Sequence, residues 1–105
     1  MLNKFLKMRL STEQQHFIND YWQKQNTTNQ VYLFGSRVDD AKKGGDIDIL
    51  VLSNDKIKHL EIFKMKMAFC AKFGQQKMDV VNLKFDDTSD FKKHVLSYAQ
   101  ILNHG

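Results

Sequence analysis

The chain has 105 residues, 42% of them hydrophobic and 27% charged, with a formal charge of +4; that supports one compact domain spanning 1–105 and excludes both a second core and a disordered chain. Its one cysteine, Cys70, excludes an internal disulfide and, with no Cys/His cluster, a zinc site. No apolar run approaches the roughly 18 residues of a membrane span, and Lys4, Lys7 and Arg9 interrupt the N-terminal apolar residues where a signal peptide would be continuous, so no membrane partner and a cytoplasmic location are expected.

Ser11-Thr12-Glu13-Gln14 reads as a helix start, with Ser11 as cap and Gln14 at the reciprocal capping-box position. Phe17, Ile18, Tyr21 and Trp22 then recur at helical spacing, which predicts a helix to about Gln25. After the polar loop Asn26-Thr27-Thr28-Asn29, the apolar run Val31-Tyr32-Leu33-Phe34 predicts a strand stopped by Gly35. Arg37 to Lys43 is polar and ambiguous, and Gly44-Gly45 breaks it. Asp46 to Leu52 predicts a second strand, alternating at its start and wholly apolar at its end, like a buried central strand.

Ser53-Asn54-Asp55 offers a cap for a second helix, with Ile57, Leu60, Phe63, Met67 and Cys70 on one side and Gly74 as its stop. Ile62, Met65, Ala68 and Phe69 make this helix apolar on more than one face, which predicts a second burial partner. Lys77 to Lys84 predicts a third strand. Asp86-Asp87-Thr88-Ser89 caps a last helix carrying Phe91, Val95, Leu96, Ala99 and Leu102. The expected fold is α/β (α+β): a small mixed sheet of three strands flanked by helices. Spacing alone leaves the first two strands antiparallel or crossed over.

The informative chemistry lies in Phe34-Gly35-Ser36-Arg37 followed by Gly44-Gly45-Asp46-Ile47-Asp48-Ile49. In a strand, residues i and i+2 share a face, so Asp46 and Asp48 stand side by side while Ile47 and Ile49 enter the core. Two adjacent carboxylates in so apolar a strand repel each other and lose hydration. A divalent cation removes that penalty, and Mg²⁺ is the usual occupant where water and phosphate must also fit. Gly35 permits close backbone approach to a ligand, Ser36 supplies a hydroxyl and an amide suited to phosphate, and Arg37 adds a charge-assisted contact. Asp79, on the third strand, is the best candidate for a third carboxylate or a general base, and three carboxylates suit two metal ions.

Together the Gly35-Ser36-Arg37 motif, the short spacer and the Gly44-Gly45-Asp46-Ile47-Asp48-Ile49-Leu50-Val51 run resemble the nucleotidyltransferase superfamily related to DNA polymerase β, in particular its minimal nucleotidyltransferase (MNT) members. The resemblance covers the chain from about Ser11 to Leu102. It implies that Gly35 and Ser36 hold a nucleoside triphosphate, that Asp46, Asp48 and Asp79 hold Mg²⁺, and that a nucleoside monophosphate, usually AMP from ATP, passes to a hydroxyl. Members this small often pair with a helical HEPN toxin, which some neutralise by attaching AMP to a tyrosine. The nine-residue spacer between Ser36 and Asp46 is one shorter than the family's, and Asp39 and Asp40 stand where a glycine is common.

The resemblance therefore implies an antitoxin enzyme with a HEPN-type partner. The alternative is an inactive nucleotide-binding protein that neutralises its partner by complex formation. Hetero-oligomer and homodimer both stay open. A nucleic-acid-binding module has only the basic surplus behind it, since neither an RRM-like aromatic–basic motif nor a helix-turn-helix pattern occurs.

Overall fold

The computed structural model describes residues 10–35 and 46–102. Helix α1, Thr12–Gln25, begins with the expected capping box: the Gln14 amide donates to Ser11 Oγ at 3.0 Å, and the Ser11 amide donates to Gln14 Oε1 at 3.1 Å. It buries Ile18 and Trp22. Strands β1 (Gln30–Phe34) and β2 (Ile47–Ser53) pair antiparallel, with Phe34 opposite Asp48. Helix α2 (His59–Phe73) then crosses to β3 (Met78–Lys84), which lies parallel to β2. A short helix α3 (Asp90–Leu96) and strand β4 (Gln100–Ile101) complete the chain. The sheet order is β3-β2-β1-β4.

Strand alternation sorts the core into two layers. Val31, Leu33, Ile47, Ile49, Val51 and Met78 meet Ile18 and Trp22 of α1 and Met65 and Phe69 of α2 on one face. Leu50 and Leu52 meet Val95 on the other, with Tyr32, Phe34, Val81 and Leu83 packed around them. β2 is therefore covered on both faces, as its apolar end predicts.

The sheet has four strands rather than three, because the last helix stops at Leu96 instead of running through Leu102. Ser97 Oγ donates to the His94 carbonyl at 2.6 Å, and a turn through Tyr98 follows. β1 would otherwise present an unpaired edge. β4 fills it, with Leu33 opposite Gln100 and Tyr32 opposite Ile101, and the Leu102 amide donates to the Val31 carbonyl at 2.8 Å. Edge pairing satisfies backbone groups that a longer helix would leave bare.

The second helix also differs from expectation. Its N-cap is Lys58, with no side-chain capping bond; Ser53 Oγ donates instead to the Asp55 carbonyl at 2.7 Å. The face turned to the core carries Met65 and Phe69, flanked by Ile62 and Phe73, while Leu60, Phe63 and Met67 are exposed at 60%, 57% and 52%. Both stripes have helical spacing. Contact with α1 decides between them, since Phe17 sits edge-on to Phe69 and Phe73 at 5.9 and 5.6 Å. Among the described residues, no helix is long and apolar enough to cross a membrane.

Asn82 fastens the β2–α2 connection to β3. Buried, it donates from Nδ2 to the Val51 carbonyl at 3.0 Å and to Ser53 Oγ at 2.9 Å, and Oδ1 accepts the Ile57 amide at 2.7 Å. Asn82→Ala leaves those groups unpartnered in a buried place, and the expected cost is about 2–3 kcal/mol by urea denaturation. A loss below about 0.5 kcal/mol would show that water replaces the amide there.

Candidate active site

The starts of β2 and β3 bring the acidic residues to one end of the sheet. Asp48 lies between Phe34 of β1 and Asp79 of β3, with Asp79 its direct parallel partner. Opposite residues of a parallel pair share a face, so the two carboxylates stand next to each other on the side of Leu50 and Val81. Asp46, just before the strand, has the same parity.

Asp48 is half-buried and Asp79 exposed. The Asp48 carboxyl holds its proton above the ordinary carboxylate range, first because burial strips water from the charged form, then because Asp79 and Asp46 add negative charge. Asp46 turns partly aside, its Oδ2 lying 3.7 Å from Lys77 Nζ. This pair is exposed and of the weak kind, worth under about 1 kcal/mol. Among the described residues, no three His, Cys, Asp or Glu side chains converge at metal-ligand spacing. Asp46 acts on Asp48 through its charge.

The donor set nonetheless fits a hard divalent cation. It is all oxygen, and the charged form of Asp48 is destabilised first by burial and then by Asp79 and Asp46, which is the penalty a cation relieves.

Gly35 closes the site from the β1 side. Its φ is +76°, and a Cβ at this position would overlap Asp48 Oδ2 and lie 3.0 Å from Asp48 Cγ. Only glycine lets β1 end this close to the carboxylate. The Gly35 amide donates to the Tyr98 hydroxyl at 3.4 Å.

Of the six residues that the motif singled out, the structure brings together Gly35, Asp46, Asp48 and Asp79. Ser36 and Arg37 lie outside the described residues. Tyr98 was missed, since it is 63 positions from Gly35 and falls within the stretch expected to be the last helix.

The model of the polymerase beta nucleotidyltransferase family matches residues 16–104. This chain belongs to the polymerase β nucleotidyltransferase family.

Among solved structures, the nucleotidyltransferase domain matches a chain in the complex of a tri-AMPylated Shewanella oneidensis HEPN toxin with an MNT antitoxin, at 18% identity and a TM-score of 0.63, over 90% of this chain and 74% of that one. A toxin–antitoxin structure with AMP-PNP matches at 19% identity and a TM-score of 0.67, over 87% and 73% of the two chains. The MntA–HepT toxin–antitoxin structure matches at 18% identity and a TM-score of 0.63, over 90% and 74%. At these identities the likeness is one of fold. No curated protein matches the chain.

Proposed function

We propose that this nucleotidyltransferase is an Mg²⁺-dependent antitoxin that transfers AMP from ATP to a hydroxyl of a helical HEPN-type toxin. The observation carrying this reading is the direct register of Asp48 with Asp79, against a glycine whose backbone touches Asp48. The similar complexes include an AMPylated toxin and a bound ATP analogue, which supports both the nucleotide and the acceptor class.

In the proposed reaction the acceptor oxygen attacks the α-phosphorus of ATP. The bond from that phosphorus to the bridging oxygen of pyrophosphate breaks, and pyrophosphate leaves with the electron pair. Asp79, exposed at the mouth of the site, takes the acceptor's proton. Asp46, Asp48 and Asp79 would hold Mg²⁺, two ions in the fullest arrangement, which supplies charge neutralisation at the phosphates. Gly35, Ser36 and Arg37 would hold the triphosphate. Use of ATP is consistent with a cytoplasmic setting.

A toxin partner also gives a reason for the exposed Leu60, Phe63 and Met67 stripe on α2, since a large apolar patch on a small domain marks an interaction surface. A second reading, a binding-only antitoxin, draws on the Asp46–Lys77 pair, which gives one of the three carboxylates a cationic partner within the chain.

The test incubates the chain with α-labelled ATP, Mg²⁺ and the product of the adjacent gene. Label is expected on the partner, and chelation of Mg²⁺ by excess EDTA is expected to stop transfer. A stable complex without label would establish the binding-only reading instead. Neither label nor complex would overturn both.

A further inference from the structure

Tyr98 comes to the site from outside the acidic cluster and the glycine motif. β4 carries it there: Gln100 pairs with Leu33 and Ile101 with Tyr32, so the residues just before β4 must pass the end of β1. The Tyr98 amide donates to the Val95 carbonyl at 3.1 Å, and its ring rests on His94 with centroids 5.5 Å apart. Its hydroxyl accepts the Gly35 amide, whose own Cα borders the Asp48 carboxylate. Standard backbone dimensions then put the hydroxyl within about 9 Å of Asp48 Cγ.

The direction of that bond matters. The hydroxyl accepts from Gly35, so its own proton is not used there. At 3.4 Å the bond is at the long end of the range and is easily exchanged. Tyr98 is 40% exposed, so an incoming ligand can reach it. A ligand rich in acceptors and lacking donors, such as a polyphosphate, can take both the Gly35 amide and the phenol proton at once.

We propose that Tyr98 is a nucleotide-positioning residue, its hydroxyl donating to a phosphate oxygen of the bound triphosphate beside the Gly35 amide. This rests on the proposed nucleotidyl transfer and adds to it a contact from the far end of the chain. The phenol proton would fix the triphosphate against β1, and its loss would weaken binding more than it slows the chemical step.

Tyr98→Phe keeps the ring and its packing on His94 and removes the hydroxyl alone. Calorimetric titration of the full chain and of this variant with Mg²⁺–AMP-PNP, and separately with Mg²⁺–tripolyphosphate, tests the assignment. The expected result is about tenfold weaker binding of both ligands, the scale of one hydrogen bond to a charged group, with an unchanged melting temperature. In the transfer assay the variant is expected to raise KM for ATP by a similar factor with kcat within about twofold. Unchanged affinity would overturn the proposal. Tighter binding would overturn it too, by showing that the hydroxyl blocks the Gly35 amide. Weaker binding of AMP-PNP alone would overturn it as well, by placing the hydroxyl against the nucleoside rather than the phosphates. If the unaltered chain binds neither ligand, this inference and the nucleotidyltransferase activity itself both fall, whereas normal binding by both proteins removes only the role of Tyr98.

Discussion

Asp48→Asn is expected to abolish AMP transfer while making the metal-free chain more resistant to heat at neutral pH. The two effects share one cause. Burial first, and Asp79 and Asp46 after it, raise the pKa of Asp48 in the folded chain above its unfolded value. The folded state thus holds the proton more tightly than the unfolded state does. The stability that this proton contributes is fully present below the ordinary carboxylate range, and it is lost as pH rises through the elevated folded value. Above that window the ionised Asp48 opposes folding.

Asparagine has nearly the same shape and no charge, so at pH 7 to 8 it removes the opposition. Because Asp48 is only half-buried, water screens part of the effect, and the expected rise in Tm is a few degrees. The advantage should vanish as pH falls below the usual carboxylate range, where both proteins carry a neutral group. Mg²⁺ with a nucleotide should raise the Tm of the unaltered chain and leave the variant almost unmoved. Transfer should fall by at least about a thousandfold, since the residue sits between the two other carboxylates and the glycine. Thermal melts from pH 4 to 8 beside the labelled-ATP assay check both halves. A variant less stable than the unaltered chain at pH 8 would show that Asp48 is satisfied in the free protein, contrary to its crowded setting.

How much of this was legible beforehand depended on the kind of signal. Asp48 and Asp79 stood out because a charged residue in an apolar strand is conspicuous, and strand parity then put Asp46 and Asp48 on one face. The β2–β3 register that sets Asp48 against Asp79 was open until the crossover through α2 was known. The four elements with strong local signals, α1 and β1 to β3, formed close to where periodicity placed them.

Two misreadings came from contacts that no local pattern encodes. In α2, two apolar stripes both satisfied helical spacing, and the choice between them was made by the rings of α1. In the C-terminal segment, Ala99 and Leu102 extended a helical pattern that tertiary pairing overrode, because the open edge of β1 rewarded a strand more than another helical turn. That second misreading hid Tyr98. A tyrosine on a helix face looks like packing, whereas a tyrosine in the turn before an edge strand lies beside Gly35.

Gly35→Ala should be nearly as damaging to transfer as the loss of Asp48, for a geometric reason. An alanine must adopt the positive φ of +76°, at a cost of roughly 1–2 kcal/mol for an L-residue. Its Cβ would also overlap Asp48 Oδ2 and stand 3.2 Å from Asp48 Cβ, so the carboxylate must move. A shift of that kind displaces the proposed metal ligand by about an ångström or more, enough to cost about a hundredfold in rate. The two contributions separate in a double-mutant cycle on stability. With Asp48 present, Gly35→Ala bears both the backbone strain and the collision; in an Asp48→Ala background the carboxylate is gone and the backbone term remains. The expected cost of Gly35→Ala therefore falls in that background by about 1 kcal/mol or more. Equal costs in the two backgrounds would mean that β1 relaxes away from Asp48 freely, and the close approach of Gly35 to the carboxylate would then be incidental to the site rather than part of its construction.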